Sequence, residues 1–185
     1  MPVVERVTPE DALERVRTVL GARGRDLALN FDQVDFHCEP GELREVMKSL
    51  RDTEGLRCEF FTFLSAIDRS EFGGPDKADK HGGLELLVHV YSPDHVIHVN
   101  VHVPLDTENP VCPSISDIYL GAIWHERETH EMFGIDFDGH PRLVNLYLPE
   151  DFDGHPLRRS FKLPSRAVKE WPGAKDPEEA AAGGR

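Results

Sequence analysis

Hydrophobic and polar positions alternate most regularly at Leu84–Tyr91 and Val96–Val103, which predicts two paired strands around Ser92-Pro93-Asp94-His95. A two-residue turn at Pro93-Asp94 would oppose Leu86 to Val101, Val88 to Val99 and Val90 to Ile97 on an apolar face. The other face would then pair Glu85 with His102, Leu87 with Asn100 and His89 with His98. A slip of one residue would turn every valine to water, so the pattern fixes the register tightly.

Helical spacing appears upstream. Thr8-Pro9-Glu10-Asp11 has the form of a helix start, and Ala12, Val16, Val19 and Leu20 form a stripe ended by Gly21 or Gly24. Short strands are expected near Asp26–Phe31 and Gln33–Cys38. Pro40-Gly41 opens a second helix with Leu43, Val46, Met47 and Leu50 on one face, and Leu56–Ile67 reads as a long strand. A glycine-rich loop, Ser70–Gly83, comes next. After the hairpin, Pro104–Pro113 reads as loop, with Ser114 or Ser116 capping a short turn. Ile123–Phe133 is a third helix, stopped by Gly134.

This order predicts an α+β fold, a two-layer domain over residues 1–134 with helices on one face of a mainly antiparallel or mixed sheet. Residues 135–185 are too rich in glycine and proline for regular structure and are expected to form an extended C-terminal arm. Its apolar residues, among them Leu143, Leu146, Tyr147, Leu148 and Phe161, require it to wrap its own domain or a neighbour.

Composition narrows the function. With 39% hydrophobic residues in 185, one core is possible and two large ones are not. No apolar run is long enough to span a bilayer, and Met1–Glu5 lacks the pattern of an export signal, which predicts a cytosolic chain. The net charge of −13 argues against nucleic acid as a partner. It is unevenly spread. Residues 1–156 carry 14 Lys/Arg and 30 Asp/Glu, whereas residues 157–169 carry five basic residues and no acid, a strap suited to an acidic surface. Cys38, Cys58 and Cys112 are scattered and too few for an iron–sulfur cluster.

The densest chemistry lies in Trp124-His125-Glu126-Arg127-Glu128-Thr129-His130-Glu131-Met132-Phe133-Gly134. His125 and His130 are five apart, about 140° around a helix, so they do not form the zinc pair of a metalloprotease. Glu126, Arg127 and Glu128 are adjacent and diverge by about 100° per step, so they cannot meet on one substrate atom. Arg127 suits a carboxylate at an interface, and Trp124, Met132 and Phe133 suit partner contact. Phe137-Asp138-Gly139-His140-Pro141 recurs as Phe152-Asp153-Gly154-His155-Pro156. Each repeat reads as a turn presenting a histidine from a rigid corner. The alternative seat of chemistry is the strand face with His89, His98 and His102 beside Glu85, which would make the chain a free metal-binding enzyme. No glycine-rich phosphate loop and no nucleophile with an adjacent base is present, so no catalytic, cofactor-binding or metal residue is assigned.

Glu126-Arg127-Glu128-x-x-Glu131-Met132-Phe133-Gly134-Ile135, Phe137-x-Gly139-His140-Pro141 and Gly154-His155-Pro156-Leu157-Arg158-Arg159 resemble the thirty-kilodalton subunit of bacterial NADH:quinone oxidoreductase, respiratory complex I. The resemblance spans roughly residues 113–161 and includes Pro113–Tyr119 ahead of Trp124. Thr129-His130, Val144 and Ser160 depart from the family's usual residues. The resemblance implies a non-catalytic subunit of the hydrophilic arm, peripheral on the cytoplasmic side of the cell membrane. It would bind no cofactor itself, within a complex that carries FMN and iron–sulfur clusters. Its partners would be the large quinone-site subunit and the cluster-bearing subunit of that complex. The implied interface comprises Trp124, Glu126, Arg127, Glu128, Met132, Phe133, His140, Pro141, His155, Pro156, Leu157, Arg158 and Arg159. A related membrane oxidoreductase or hydrogenase with another electron donor uses a similar subunit.

Overall fold

Thr8 starts the first helix as its sequence requires, its hydroxyl accepting from Asp11 N at 3.2 Å, in a computed structural model that describes residues 6–70 and 83–163. Helix α1 runs Pro9–Leu20, buries Ala12, Val16 and Leu20, and ends where Gly21 takes φ +56°. Strands β1 (Arg25–Asn30) and β2 (Gln33–His37) follow, then helix α2 (Leu43–Asp52), entered through a 3-10 turn at Pro40–Glu42. Leu43, Val46, Met47 and Leu50 are all buried, the stripe read from their spacing. Strands β3 (Phe60–Asp68), β4 (Leu84–Ser92), β5 (Ile97–Leu105) and β6 (Val111–Pro113) precede helix α3 (Ala122–Phe133) and strand β7 (Asp136–Asp138).

The five-stranded sheet has the order β1-β2-β5-β4-β3. Only β2 and β5 run parallel in it, so the fold is α+β on a mixed, mostly antiparallel sheet. Val34, Phe36, Leu86, Val88, Val90, Val99, Val101 and Val103 share one core with the stripes of α1 and α2. Each such side chain contributes about 1.5–3 kcal/mol when fully buried, which makes this face the main source of stability. The opposite face carries the alternate residues, among them His37, Glu85, His89, His98 and His102. Helix α3 lies along β3, where Phe61 packs edge-on against His125 at 5.2 Å and beside Tyr119 at 5.8 Å.

The hairpin differs from expectation in register but not in facing. Leu86 opposes Val103, Val88 opposes Val101 and Val90 opposes Val99, two residues from the expected pairing. The polar face accordingly pairs Leu87 with His102, His89 with Asn100 and Tyr91 with His98. Proline is the cause. The favoured two-residue hairpin turns need a positive φ at their first position, and the ring of Pro93 forbids it. The loop widens to Pro93–Val96, closed by Val96 N donating to Ser92 O at 2.8 Å with Val96 at φ +57°. A shift of two preserves alternation, so the valines stay inside.

Strand β3 starts at Phe60 rather than Leu56. Leu56 N and Arg57 N donate to Thr53 O, and Cys58 N to Leu50 O, wrapping this stretch round the end of α2. Strands β6 and β7 lie where the sequence pattern shows only loop and arm. They pair in parallel, Cys112 beside Phe137, and dock the chain after α3 against the chain before it. The expected loop at 71–82 and the chain from 164 onward, including the rest of the basic strap and the tail, lie outside the described residues. Among the described residues no helix is long and apolar enough to cross a membrane.

Candidate docking site around the third helix

Helix α3 buries Ala122, Glu126, Thr129 and Phe133, a stripe at helical spacing that includes a carboxylate. Glu126 is fully buried. Its Oε2 accepts from Ser114 Oγ at 2.6 Å and its Oε1 from Ile115 N at 2.7 Å, and Ser116 Oγ lies 2.7 Å from Ser114 Oγ. Ser114 Oγ also accepts from Ser116 N at 3.2 Å, so the same serine that bonds Glu126 caps the short turn after it. Arg44 of α2 clasps Asp117 with two bonds of 2.7 Å, tying the same loop to the core. Burial pushes the Glu126 carboxyl up to about 7; the bonds from Ser114 and Ile115 and the charge of Arg44 oppose the rise, and Asp117 adds to it.

Arg127 and Glu131 stand one turn apart on another side of α3, and both hold backbone. Arg127 donates through Nε to Val144 O and through Nη2 to Asn145 O, each at 2.8 Å, while its guanidinium lies 5.4 Å from the centre of the Trp124 ring. The Glu131 carboxylate accepts from Leu146 N at 3.0 Å, from Tyr147 N at 3.0 Å, and from Leu148 N. Burial raises this carboxyl, but the bonds from Tyr147, Leu148 and Leu146 outweigh it, and its pKa falls below the usual carboxylate range. Five consecutive residues, Val144–Leu148, are thus gripped by two side chains.

The repeated turns fasten the rest. Gly139 and Gly154 take φ +83° and +90°, as such corners require. His140 Nδ1 accepts from Arg142 N at 3.0 Å, which leaves the proton on Nε2 to donate to Ile123 O at 3.1 Å. The second turn caps the end of α3. His155 Nδ1 bonds Glu131 O at 2.9 Å, Leu157 N donates to Met132 O at 3.1 Å, and Arg158 Nε donates to Phe133 O. Carbonyls that a helix end leaves without partners are thereby satisfied by two side chains and a backbone N–H, and the Arg158 cation also suits the negative end of its dipole. Gly134 stops the helix at φ +70°, and a Cβ there would sit 2.5 Å from His155 Nε2. Arg158 Nη1 also reaches Thr107 O at 3.1 Å, and Arg159 N donates to Asp68 Oδ2 at 2.9 Å.

The expected interface residues therefore divide. Glu126, Phe133 and the His140 ring are inside. Glu128, Met132 and Pro156 are half-buried, and Arg127, His155 and Arg158 are half-buried while bonded to the chain itself. Trp124 at 59% exposure, Leu157 at 54%, Pro141 and Arg159 face outward. Leu120 at 78% and Leu163 at 84% join them, and nothing in the sequence pattern marks either one. Glu131 is equally unmarked, because nothing in its type distinguishes a backbone clamp from a solvated acid.

The histidine face divides too. His89 Nε2 lies 3.3 Å from His98 Nδ1, whereas His102 lies four residues along β5, roughly 13 Å from His98 at strand rise, with its Nδ1 2.5 Å from Glu85 Oε1. The three do not converge. Burial depresses the pKa of both His89 and His98, and the positive potential of His98 depresses His89 further.

Residues 36–167 match the family described as respiratory-chain NADH dehydrogenase, 30 Kd subunit. The chain is 33% identical over 167 residues to the C subunit of the NADH-quinone oxidoreductase of Salinispora tropica, covering 90% of this chain and 65% of that protein. It is 35% identical over 156 residues to the corresponding protein of Mesorhizobium japonicum, covering 82% and 73%. The chain spans half to two thirds of the length of several of the relatives it matches. Among solved structures, a trypsin-resistant fragment of Nqo5 superposes with a TM-score of 0.58 at 23% identity, over 71% of this chain and 99% of that one. A chain of the membrane-bound sulfane sulfur reductase, an archaeal respiratory membrane complex, gives 0.61 at 20% identity, over 81% and 85%. With the family match covering most of its length and taking in the whole of helix α3, the chain belongs to the family of the 30 kDa subunit of respiratory-chain NADH dehydrogenase.

Proposed function

We propose that this chain is a docking subunit, without an active site of its own, in the peripheral arm of a proton-translocating NADH:quinone oxidoreductase. In this reading it sits on the cytoplasmic side of the membrane and holds the quinone-site subunit near the cluster-bearing one. FMN and the iron–sulfur clusters that carry electrons from NADH to quinone belong to its companions. Residues 1–134 form the body, and residues 135–185 form an arm that engages the partner.

One observation carries the reading. Arg127 and Glu131 of the family string are engaged by backbone of the same chain, while Leu120, Trp124, Tyr147, Leu157 and Leu163 remain exposed. An arrangement that immobilises a segment and displays apolar side chains suits a permanent partner better than a reacting substrate. The fold alone does not choose the electron donor, since a chain of the sulfane sulfur reductase shares it; the sequence identity to the NADH-quinone relatives favours NADH.

The test is reconstitution with the quinone-site and cluster-bearing subunits. Trp124→Ala combined with Leu157→Asp is expected to lower recovery of the complex at least tenfold, while the circular dichroism and melting of the chain stay unchanged. Undiminished recovery would remove these residues from the interface, and turnover of a substrate by the chain alone would overturn the non-catalytic role.

A further inference from the structure

The sheet face opposite α1 and α2 holds a second polar cluster, separate from the latch on α3. His37 on β2 and His102 on β5 are direct neighbours in the parallel ladder, with ring centres 5.0 Å apart. Glu85 on β4 reaches in from the other side. Its Oε1 lies 2.5 Å from His102 Nδ1 and 3.9 Å from His37 Nε2. One donor atom from each of the three residues falls within 4.8 Å of the others.

The surroundings give each side chain a fixed aim. Glu85 is 1% exposed, whereas the two imidazole side chains are 23% and 21% exposed, so the cluster is walled at the carboxylate and open at the rings. Glu85 Oε2 faces Arg69 Nε at 2.9 Å. The guanidinium thus occupies one carboxylate oxygen and leaves Oε1 to the imidazoles. On His37, Nδ1 lies on the side of the Asp26 carboxylate, 3.9 Å away, and Nε2 is the nitrogen that faces Glu85. Three strands of one sheet supply the three residues, so their backbones are held by ladder hydrogen bonds and not by a loop.

We propose that His37, Glu85 and His102 bind a divalent metal ion of the zinc class, with a fourth position open to water or to a ligand from outside. Two imidazoles and one carboxylate are a recurrent donor set for zinc. Around a tetrahedral ion with bonds of about 2.0–2.1 Å, donor atoms stand about 3.3 Å apart. The observed 2.5 and 3.9 Å bracket that spacing. Without the ion, His102 Nδ1 donates a hydrogen bond to Glu85; when the ion binds, the imidazole carries its proton on Nε2 and turns the Nδ1 lone pair to the metal. Among the described residues no other three such side chains bring their donor atoms this close. His89 and His98 contact each other without a carboxylate between them. Burial raises the thiols of Cys38 and Cys58 to about 12 and raises Cys112 as well, keeping all three protonated.

Zinc and cobalt salts, each alone, titrated into the full purified chain after chelator treatment, provide the test. One equivalent is expected to bind, and bound cobalt is expected to show the intense visible bands of a four-coordinate ion. His37→Ala and Glu85→Gln should each weaken zinc binding at least tenfold, and His89→Ala should leave it unchanged. His37 is partly exposed, so its variant keeps the core and serves even where Glu85→Gln unfolds the chain. Absence of stoichiometric binding at micromolar zinc, or binding that survives His37→Ala, would overturn the site and leave an ion-pair network in its place.

Discussion

Strand β4 is fixed by side chains that leave water; residues 142–158 are fixed by side chains that find backbone. Leu86, Val88 and Val90 lose their exposure against two helices, and no single contact decides their place. Leu146, Tyr147 and Leu148 are placed by one carboxylate. Burial is non-directional and shared among many neighbours, while hydrogen bonds to a charged group are directional and few. The same chain therefore contains a region whose failure is global and another whose failure is local.

Three measurements would break or sharpen this contrast. Leu86→Ala leaves a cavity in the shared core and is expected to cost about 4 kcal/mol. Denaturant unfolding should show the loss, and amide exchange should accelerate throughout the sheet. Glu131→Ala leaves three backbone N–H groups without their acceptor, at about 3 kcal/mol, with the loss confined to the C-terminal segment. Exchange and proteolysis should rise at residues 142–149 while β4 and β5 keep their protection. Equal acceleration in both regions would show that the segment and the sheet unfold as one unit.

A third effect, of similar size but dependent on pH, concerns Glu126. Its carboxyl titrates near 4.5 when unfolded and at about 7 when folded, so the folded chain holds this proton more tightly. The stabilisation is complete below 4.5 and is lost as pH rises through 7, a loss of about 3 kcal/mol from this group. Arg44, Asp117 and His140 surround it and shape the curve, so the informative quantity is the difference between the parent chain and Glu126→Gln. That difference should slope between pH 4.5 and 7 and flatten above it. A flat difference across the whole range would mean that Glu126 is ionised inside the fold.

Much of the sheet region is legible in the sequence because its signals are local. Thr8 and Gly21 bound α1 through their own backbone chemistry, and alternation in β4 and β5 sets the inward face without any knowledge of partners. The register differs by two because a two-residue turn at Pro93 is one that its ring cannot adopt. Strands β6 and β7 are three residues each, too short for periodicity, although buried Ile135 and Phe137 do alternate with exposed Asp136 and Asp138. At the candidate site, the string marks the right helix but not the duties of its members. Glu126 shares a stripe with Ala122, Thr129 and Phe133, a spacing that is present in the sequence and is outweighed by its charge. Glu131 cannot be read, since its partners are N–H groups 15–17 residues downstream that every sequence possesses.

The guanidinium of Arg127 lies against the Trp124 indole and at the same time grips Val144 and Asn145. Any protein that covers that indole also displaces water from the cation behind it. Removing water lowers the local dielectric and tightens both grips at once. Recognition outside and order inside thus share one side chain: whatever settles on the tryptophan also stiffens a stretch of polypeptide that it never touches.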